Sequence, residues 1–312
     1  MAKPGRKFNK FSFIIIGAVI ILALSLTVFS NKGAKEWENT YKSYELTGDS
    51  DIEKYPFSIH FIDVSQGDCT LIKSDFGNIL IDCGEADEKN RVESYLNKYG
   101  IKSIDYLFAT HPHSDHIGCM SSIVNDYKIG KFFICETDEE DIPTSSCYKK
   151  LLEALDKNEV DCCFAEGGET FSLGDVKIEI IAPVKIIKGD LNNNSVVLKI
   201  SYLDMTVLMA GDCESKEEKT ILEKGFDINC DILKVGHHGS KSSSSNAFLK
   251  AVSPESAVIS LGQGNSYGHP HEEALKRLGK YCKNIFRTDK NGTVVICKNS
   301  KEEIIRTEKE SQ

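Results

Sequence analysis

Apolar residues are spaced in three ways along the chain, and each spacing predicts a different element. Phe11 to Phe29 reads "FSFIIIGAVIILALSLTVF", without a charge. At about 1.5 Å per residue this run can cross a hydrocarbon core of about 30 Å. From Pro56 onward the pattern changes to short alternating or apolar runs parted by Gly, Asp and Asn: "FSIHFIDV", "CTLIKS", "NILIDCG", Ile104 to Ala109, "KFFIC", "VDCCF", "VKIEIIA", "SVVLKIS", "MTVLMAG", "DILKV", "SAVISL", "NIFRT" and "GTVVIC". These are predicted strands. Helical spacing appears at Glu88 to Tyr99, from about Ile117 to Asn125, at Tyr148 to Asp156, and in "CESKEEKTILEKG", "NAFLKAV" and "HEEALKRLGKYC". Strand-rich blocks with interleaved helices predict one α/β domain, two sheets between helices, over residues 56–300. Around it lie a basic flank (1–10), a transmembrane anchor or uncleaved signal (11–30), a polar linker (31–55) and a charged tail (301–312).

Charge gives the anchor a direction. Lys3, Arg6, Lys7 and Lys10 precede the span with no acid among them, whereas Lys32 and Lys35 after it are diluted by Glu36 and Glu38. The expected orientation is N-terminus cytoplasmic, catalytic domain extracytoplasmic, at a single-pass cell-membrane site. If the segment were cleaved the protein would be secreted, but the run is longer than a usual signal-peptide core and no Ala-x-Ala site follows it. The whole chain carries a net charge of −9, and its basic N-terminus makes the remainder more acidic still. That excludes a general nucleic-acid-binding surface, so a polyanionic substrate has to be gripped locally. The eleven cysteines show no repeated spacing. Cys83, Cys135, Cys162, Cys163 and Cys213 sit in apolar segments and read as buried thiols rather than a disulfide framework.

Candidate chemistry gathers in "THPHSDHIG", residues 110–118, directly after a predicted buried strand. In an extended "H-P-H" the side chains of His111 and His113 share one side and can bind one cation. Asp115 and His116, opening a helix, point a carboxylate and an imidazole toward a neighbouring point. The segment cannot close either site alone, since catalytic zinc takes about three protein ligands. No histidine lies between Ile117 and Gly236. Completing ligands must therefore come from carboxylates in between or from the C-terminal third, and Asp212, at the end of "MTVLMAGD", and His237 and His238 in "DILKVGHHGS" are suitably placed. All three segments fall at the carboxyl ends of predicted strands, where α/β folds collect their sites.

"THPHSDHIG" resembles the H-x-H-x-D-H signature of the metallo-β-lactamase superfamily. "FIDVSQGDCTLI", "ILIDCG", "NNNSVVLKI", "VLMAGDCE", "LKVGHHGSKSSSS" and "NSYGHP" resemble, in order, the metallo-hydrolase domain of the ComEC/Rec2 family of competence proteins, over roughly Phe57 to Cys297. The resemblance implies a four-layer αββα sandwich holding two divalent ions, Zn2+ or Mn2+. It implies His111 and His113 on the first ion, Asp115 and His116 on the second, Asp212 bridging, and His237 completing the second, with the roles of His237 and His238 interchangeable. Asp63 would orient a ligand, and Asn194 and Ser195 stand where other superfamily members carry a further histidine. An oxygen-rich first site accepts manganese as well as zinc. It also argues against β-lactam or thioester hydrolysis.

Asp115 is counted among the catalytic groups as well as the ligands. His238, His269 and Lys234 are candidates to contact phosphate or protonate a leaving oxygen. His269 reads equally as a turn residue and Lys234 as a strand residue facing solvent. "SKSSSS" reads as a loop ending in a helix cap at Asn246, and His60 and His271 as structural or surface residues. A single anchor is expected in place of the channel and DNA-binding barrel of full-length competence proteins. The expected function is a dinuclear metal-dependent phosphodiesterase or nuclease. The alternatives are an exported metallo-esterase of phosphorylcholine or cell-wall esters, and a non-catalytic surface module.

Overall fold

The structure, a computed structural model, describes residues 49–309. The expected membrane span and its basic flank lie outside the described residues. Among the described residues no helix is long and apolar enough to cross a membrane.

Among the described residues fifteen strands form two sheets. In chain order the first sheet takes β1 (Phe57–Phe61), β2 (Thr70–Ser74), β3 (Gly77–Ile81), β4 (Ser103–Ala109), β5 (Lys128–Cys135) and β6 (Asp161–Ala165), and later β14 (Val294–Lys298) and β15 (Glu303–Thr307). Its spatial order is β15-β14-β1-β2-β3-β4-β5-β6. The second takes β7 (Thr170–Leu173), β8 (Val176–Ala182), β9 (Val197–Tyr202), β10 (Met205–Met209), β11 (Ile232–Lys234), β12 (Ser256–Ile259) and β13 (Asn284–Arg287), in the order β13-β12-β11-β10-β9-β8-β7. In each sheet a hairpin-connected antiparallel block passes into parallel strands: β3 to β6 in one, β10 to β13 in the other.

Side-chain alternation explains the layering. On β10, Val207 and Met209 point into the core shared with Phe57, Ile59 and Ile79 of the first sheet, while Leu208 points the other way. There, with Leu233 and Ala257, it meets Ile221, Phe248 and Leu278 of the helices Ser215–Lys224, Asn246–Val252 and Glu272–Leu278. Helices Lys89–Lys98, Met120–Asp126 and Ser146–Lys157 place Leu96, Ile123 and Leu151 in the core of the first sheet. Both sheets are thus covered by helices, as an α/β sandwich requires.

Three expectations need correction. The charged tail is in part a strand: β15 pairs with β14 from Val294↔Thr307 to Lys298↔Glu303. The polar linker ends in a short helix, Asp49–Ile52, whose Ile52 is buried in the core. All eleven cysteines are free, and Cys83, Cys135 and Cys213 are buried as expected, but Cys162 is exposed and Cys163 half-buried because β6 is an edge strand.

Candidate metal centre

The cluster forms where loops leaving parallel strands of both sheets converge. Beneath it they are fastened to one another through backbone atoms. Asp82 N–H donates to Phe108 O, Cys83 N–H to His116 O, Gly84 N–H to Asp68 O and Asp68 N–H to Asp115 O. Gly67 permits the last approach: its φ is +137°, and a Cβ there would collide with the Asp115 carbonyl oxygen.

Asp82, at the end of β3, fixes the signature segment. Its carboxylate accepts from Thr110 N–H at 2.8 Å and Thr110 Oγ1 at 2.7 Å, and it stands 2.8 Å from His116 Nδ1. A proton on His116 Nδ1 leaves Nε2 as the free lone pair, aimed at Asp212. His238 is held in the same manner, with Nδ1 2.9 Å from the Ser260 carbonyl. Asp212 is positioned from behind by Ser195, whose Oγ accepts the Asp212 N–H at 3.1 Å.

The two oxygens of Asp212 face two separate pairs of imidazoles. Oδ1 lies 3.4 Å from His116 Nε2 and 3.6 Å from His238 Nε2. Asp115 Oδ2 adjoins that side, 3.2 Å from His238 Nε2 and 3.9 Å from His116 Nε2. Oδ2 lies 3.7 Å from His111 Nε2 and 3.7 Å from His237 Nε2. His113 Nδ1 stands 2.8 Å from His111 Nε2. Asp212 Oδ1, His116 Nε2 and His238 Nε2 are buried and have no hydrogen-bond partner. Burying unpaired polar atoms is costly, and three that converge on one point form a donor set for a cation. The His/Asp cluster is suited to two metal ions.

Electrostatics point the same way. Burial opposes charge throughout, yet the Asp212, Asp82 and Asp115 carboxylates hold His116 well above the usual imidazole range. Asp212 and Asp68 likewise raise His238. Despite burial, His238, His116 and His111 keep the Asp212 carboxyl well below its ordinary value. The carboxylates therefore demand positive charge at this point, as a proton or as a cation. His111, fully buried, is pushed down by burial and by the charge on His116.

A cavity of about 340 Å³ opens over the cluster, and Gln66, Asn192, Tyr267 and His269 help to line it. Burial and then the neighbouring His237 and His238 lower His269 to about 4. Tyr267 is 63% exposed at the rim, its ring stacked 5.7 Å from that of His269.

Several roles differ from those the resemblance implied. His238, not His237, enters the group with Asp115 and His116. Both histidines are left-handed (φ 47° and 49°), which turns their rings to opposite oxygens of Asp212. Asp63 orients no ligand: it accepts the Ser65 N–H and faces Arg91 and Lys309. Lys234 faces neither solvent nor the cavity, because its buried ammonium is paired with Asp68 at 2.7 Å. Asn194 is tied to the backbone of Ile187 rather than to a ligand. His60 is structural, set between Ser58 and Tyr95 and driven by burial to about 3.

Sequence reasoning missed Asp82, Asp68, Glu214 and Tyr267. Each lies inside a motif already noted, respectively "ILIDCG", "VSQGD", "VLMAGDCE" and "NSYGHP". For Asp82 the available signal was a carboxylate directly after an apolar strand; nothing comparable marks Tyr267.

A family model described as the metallo-β-lactamase superfamily matches residues 62–263. The chain belongs to that superfamily. Among its relatives, ComE operon protein 3 of Bacillus subtilis is 30% identical over 259 residues, covering 76% of this chain and 32% of that protein. Recombination protein 2 of Haemophilus influenzae is 28% identical over 250 residues, covering 78% of this chain and 29% of its own. The chain thus spans about a third of the length of these relatives. Among solved structures, CmlA, a diiron beta-hydroxylase from Streptomyces venezuelae, aligns with a TM-score of 0.50 at 12% identity, over 74% of this chain and 53% of that one. At that identity the likeness bears on fold alone.

Proposed function

We propose that the chain is a metal-dependent phosphodiesterase whose substrate is nucleic acid, working on the outer side of a membrane to which residues 11–30 anchor it. The observation that carries the reading is the division of the cluster about Asp212, with imidazoles facing each of its oxygens. Asp115, His116, His238 and Asp212 would hold one Zn2+ or Mn2+, and His111, His113 and Asp212 the other. Such a pair of ions, when bound, activates water and neutralises the charge that grows on phosphate oxygens.

The chain's own residues then bind and orient. Gln66 Oε1 accepts the Gly262 N–H, which leaves its NH2 as a donor for a phosphate oxygen at the cavity wall. His269 Nδ1 is buried without a partner, and we place it against the substrate. Tyr267 presents one open face at the rim, the geometry on which a nucleobase stacks. A choline ammonium is better held by several faces at once, which sets the esterase reading second. The names of the relatives, a competence-operon protein and a recombination protein, favour nucleic acid as well.

The test uses the full chain loaded with Mn2+ or Zn2+ and offered bis(p-nitrophenyl) phosphate, single-stranded DNA and a phosphorylcholine ester. DNA cleavage is expected, and Asp212→Ala should lower it about a hundredfold or more. Turnover of the choline ester with DNA left intact would overturn the reading. The anchor is checked separately. The expressed chain should sediment with membranes, resist alkaline washing, and be degraded by protease added to the outside of intact cells; a chain that washes off, or is protected, contradicts this placement.

A further inference from the structure

We infer that His237 is the third imidazole of the first ion's site and takes the place of the histidine that the chain lacks between Ile117 and Gly236. The inference rests on the cluster holding two ions. His237 Nε2 and His111 Nε2 stand at the same distance, 3.7 Å, from the same oxygen, Asp212 Oδ2. Two ligand atoms sharing one cation at about 2.1 Å from each are separated by roughly 3.0 to 3.5 Å, so each imidazole stands within a few tenths of an ångström of the separation from Asp212 Oδ2 that a shared ion requires. His113 Nδ1, 2.8 Å from His111 Nε2, adjoins that position. The resulting set is three imidazoles and one carboxylate oxygen.

The far side of the ring is held as a metal ligand's ring is held. His237 Nδ1 stands 2.7 Å from Glu214 Oε1, and Ser242 Oγ donates to the same oxygen at 2.6 Å. A carboxylate on the distal nitrogen fixes the tautomer, leaves the lone pair on Nε2, and makes the ring a stronger donor. Glu214 is fixed in turn through its own N–H, which donates to Asn193 Oδ1 at 3.2 Å. The backbone serves the same end. With His237 and His238 both left-handed, at a conformational cost, two adjacent residues reach opposite oxygens of Asp212. A single turn after β11 thus supplies one ligand to each ion.

The experiment reads metal affinity. The full chain, stripped with chelator, is titrated with Zn2+ against a chromophoric competitor, and bound ions are counted. The native chain should take two. His237→Asn, chosen because asparagine tolerates a left-handed backbone, should retain one tight ion and bind the other about a hundredfold more weakly. Glu214→Gln leaves the turn intact and should weaken that same ion by about tenfold. His238→Asn should weaken the other ion, and the double variant His237→Asn, His238→Asn should weaken both. If His237→Asn fails to fold by circular dichroism, Glu214→Gln decides. Two ions bound with native affinity in either His237→Asn or Glu214→Gln overturns the inference while leaving the dinuclear reading intact. A native chain that takes fewer than two ions overturns both. Loss of one ion in His237→Asn, together with a native chain that leaves DNA uncut, upholds the inference and rejects the nuclease.

Discussion

The ammonium of Lys234 lies 2.7 Å from Asp68 Oδ2, with both side chains out of water. Lys234 closes β11 in the second sheet and Asp68 follows β1 in the first, so the pair joins the two sheets directly under His238, whose Nδ1 is 3.6 Å from Asp68 Oδ1. Its value lies in what either partner would cost alone. Lys234→Met leaves a buried carboxylate uncompensated and should destabilise the protein by about 3–5 kcal/mol, read from the urea unfolding midpoint. Adding Asp68→Asn removes the orphaned charge and should restore part of the loss. A single variant within about 1 kcal/mol of the native protein would show that water reaches this pair. The same reasoning separates Lys234 from substrate-binding groups. A lysine committed to a buried carboxylate cannot also grip a phosphate in the cavity.

At the scale of elements, the sequence is most readable where local pattern and tertiary environment agree. β3, β4, β10 and β11 each end in three consecutive buried residues, and their carboxyl ends carry Asp82, the signature segment, Asp212 and the paired histidines. Their order and their chemistry can both be read along the chain. The serine-rich loop also behaves as expected: Ser245 caps Asn246–Val252 by accepting the Phe248 N–H, while Glu218 and Arg277 tie down its backbone. Edge strands are harder to see. β7 and β15 each have one flank open, so their residues are exposed or half-buried and carry no clean apolar signal. The division of labour between His237 and His238 is invisible for a different reason. Alternation with a period of two assumes extended backbone, and two consecutive left-handed residues obey neither that period nor a helical one. Asp63 and Asp68 pose a similar problem, since both lie in one loop and only the approach of Gly67 to Asp115 decides which carboxylate faces the cluster.

For the whole molecule, the balance between folded and unfolded states carries a pH dependence traceable to Glu217, a residue away from the cluster. Glu217 is fully buried in the first turn of Ser215–Lys224. Its Oε1 accepts the Val184 N–H at 3.0 Å, fastening that helix to the chain leaving β8, while Oε2 has no partner. Burial pushes its carboxyl up to about 7, against smaller opposing effects from the Val184 N–H and Lys185. Because the folded-state value lies above the unfolded one, the folded protein binds the extra proton. The associated stability is complete below the ordinary glutamate range near 4.5 and is lost as pH rises through about 7. A shift of this size corresponds to at most about 3.5 kcal/mol. Glu217→Gln cannot ionise and should escape the loss, although its NH2 would inherit the unpartnered position of Oε2. Urea unfolding of the metal-stripped proteins at pH 5 and pH 8 makes the comparison. The metal cluster titrates alike in both, so its contribution cancels in the difference between variant and native protein. The variant should gain on the native protein by on the order of 2–3 kcal/mol between the two pH values. A difference that does not change with pH would mean that Glu217 is already ionised in the folded protein at pH 5, with water or a cation reaching Oε2.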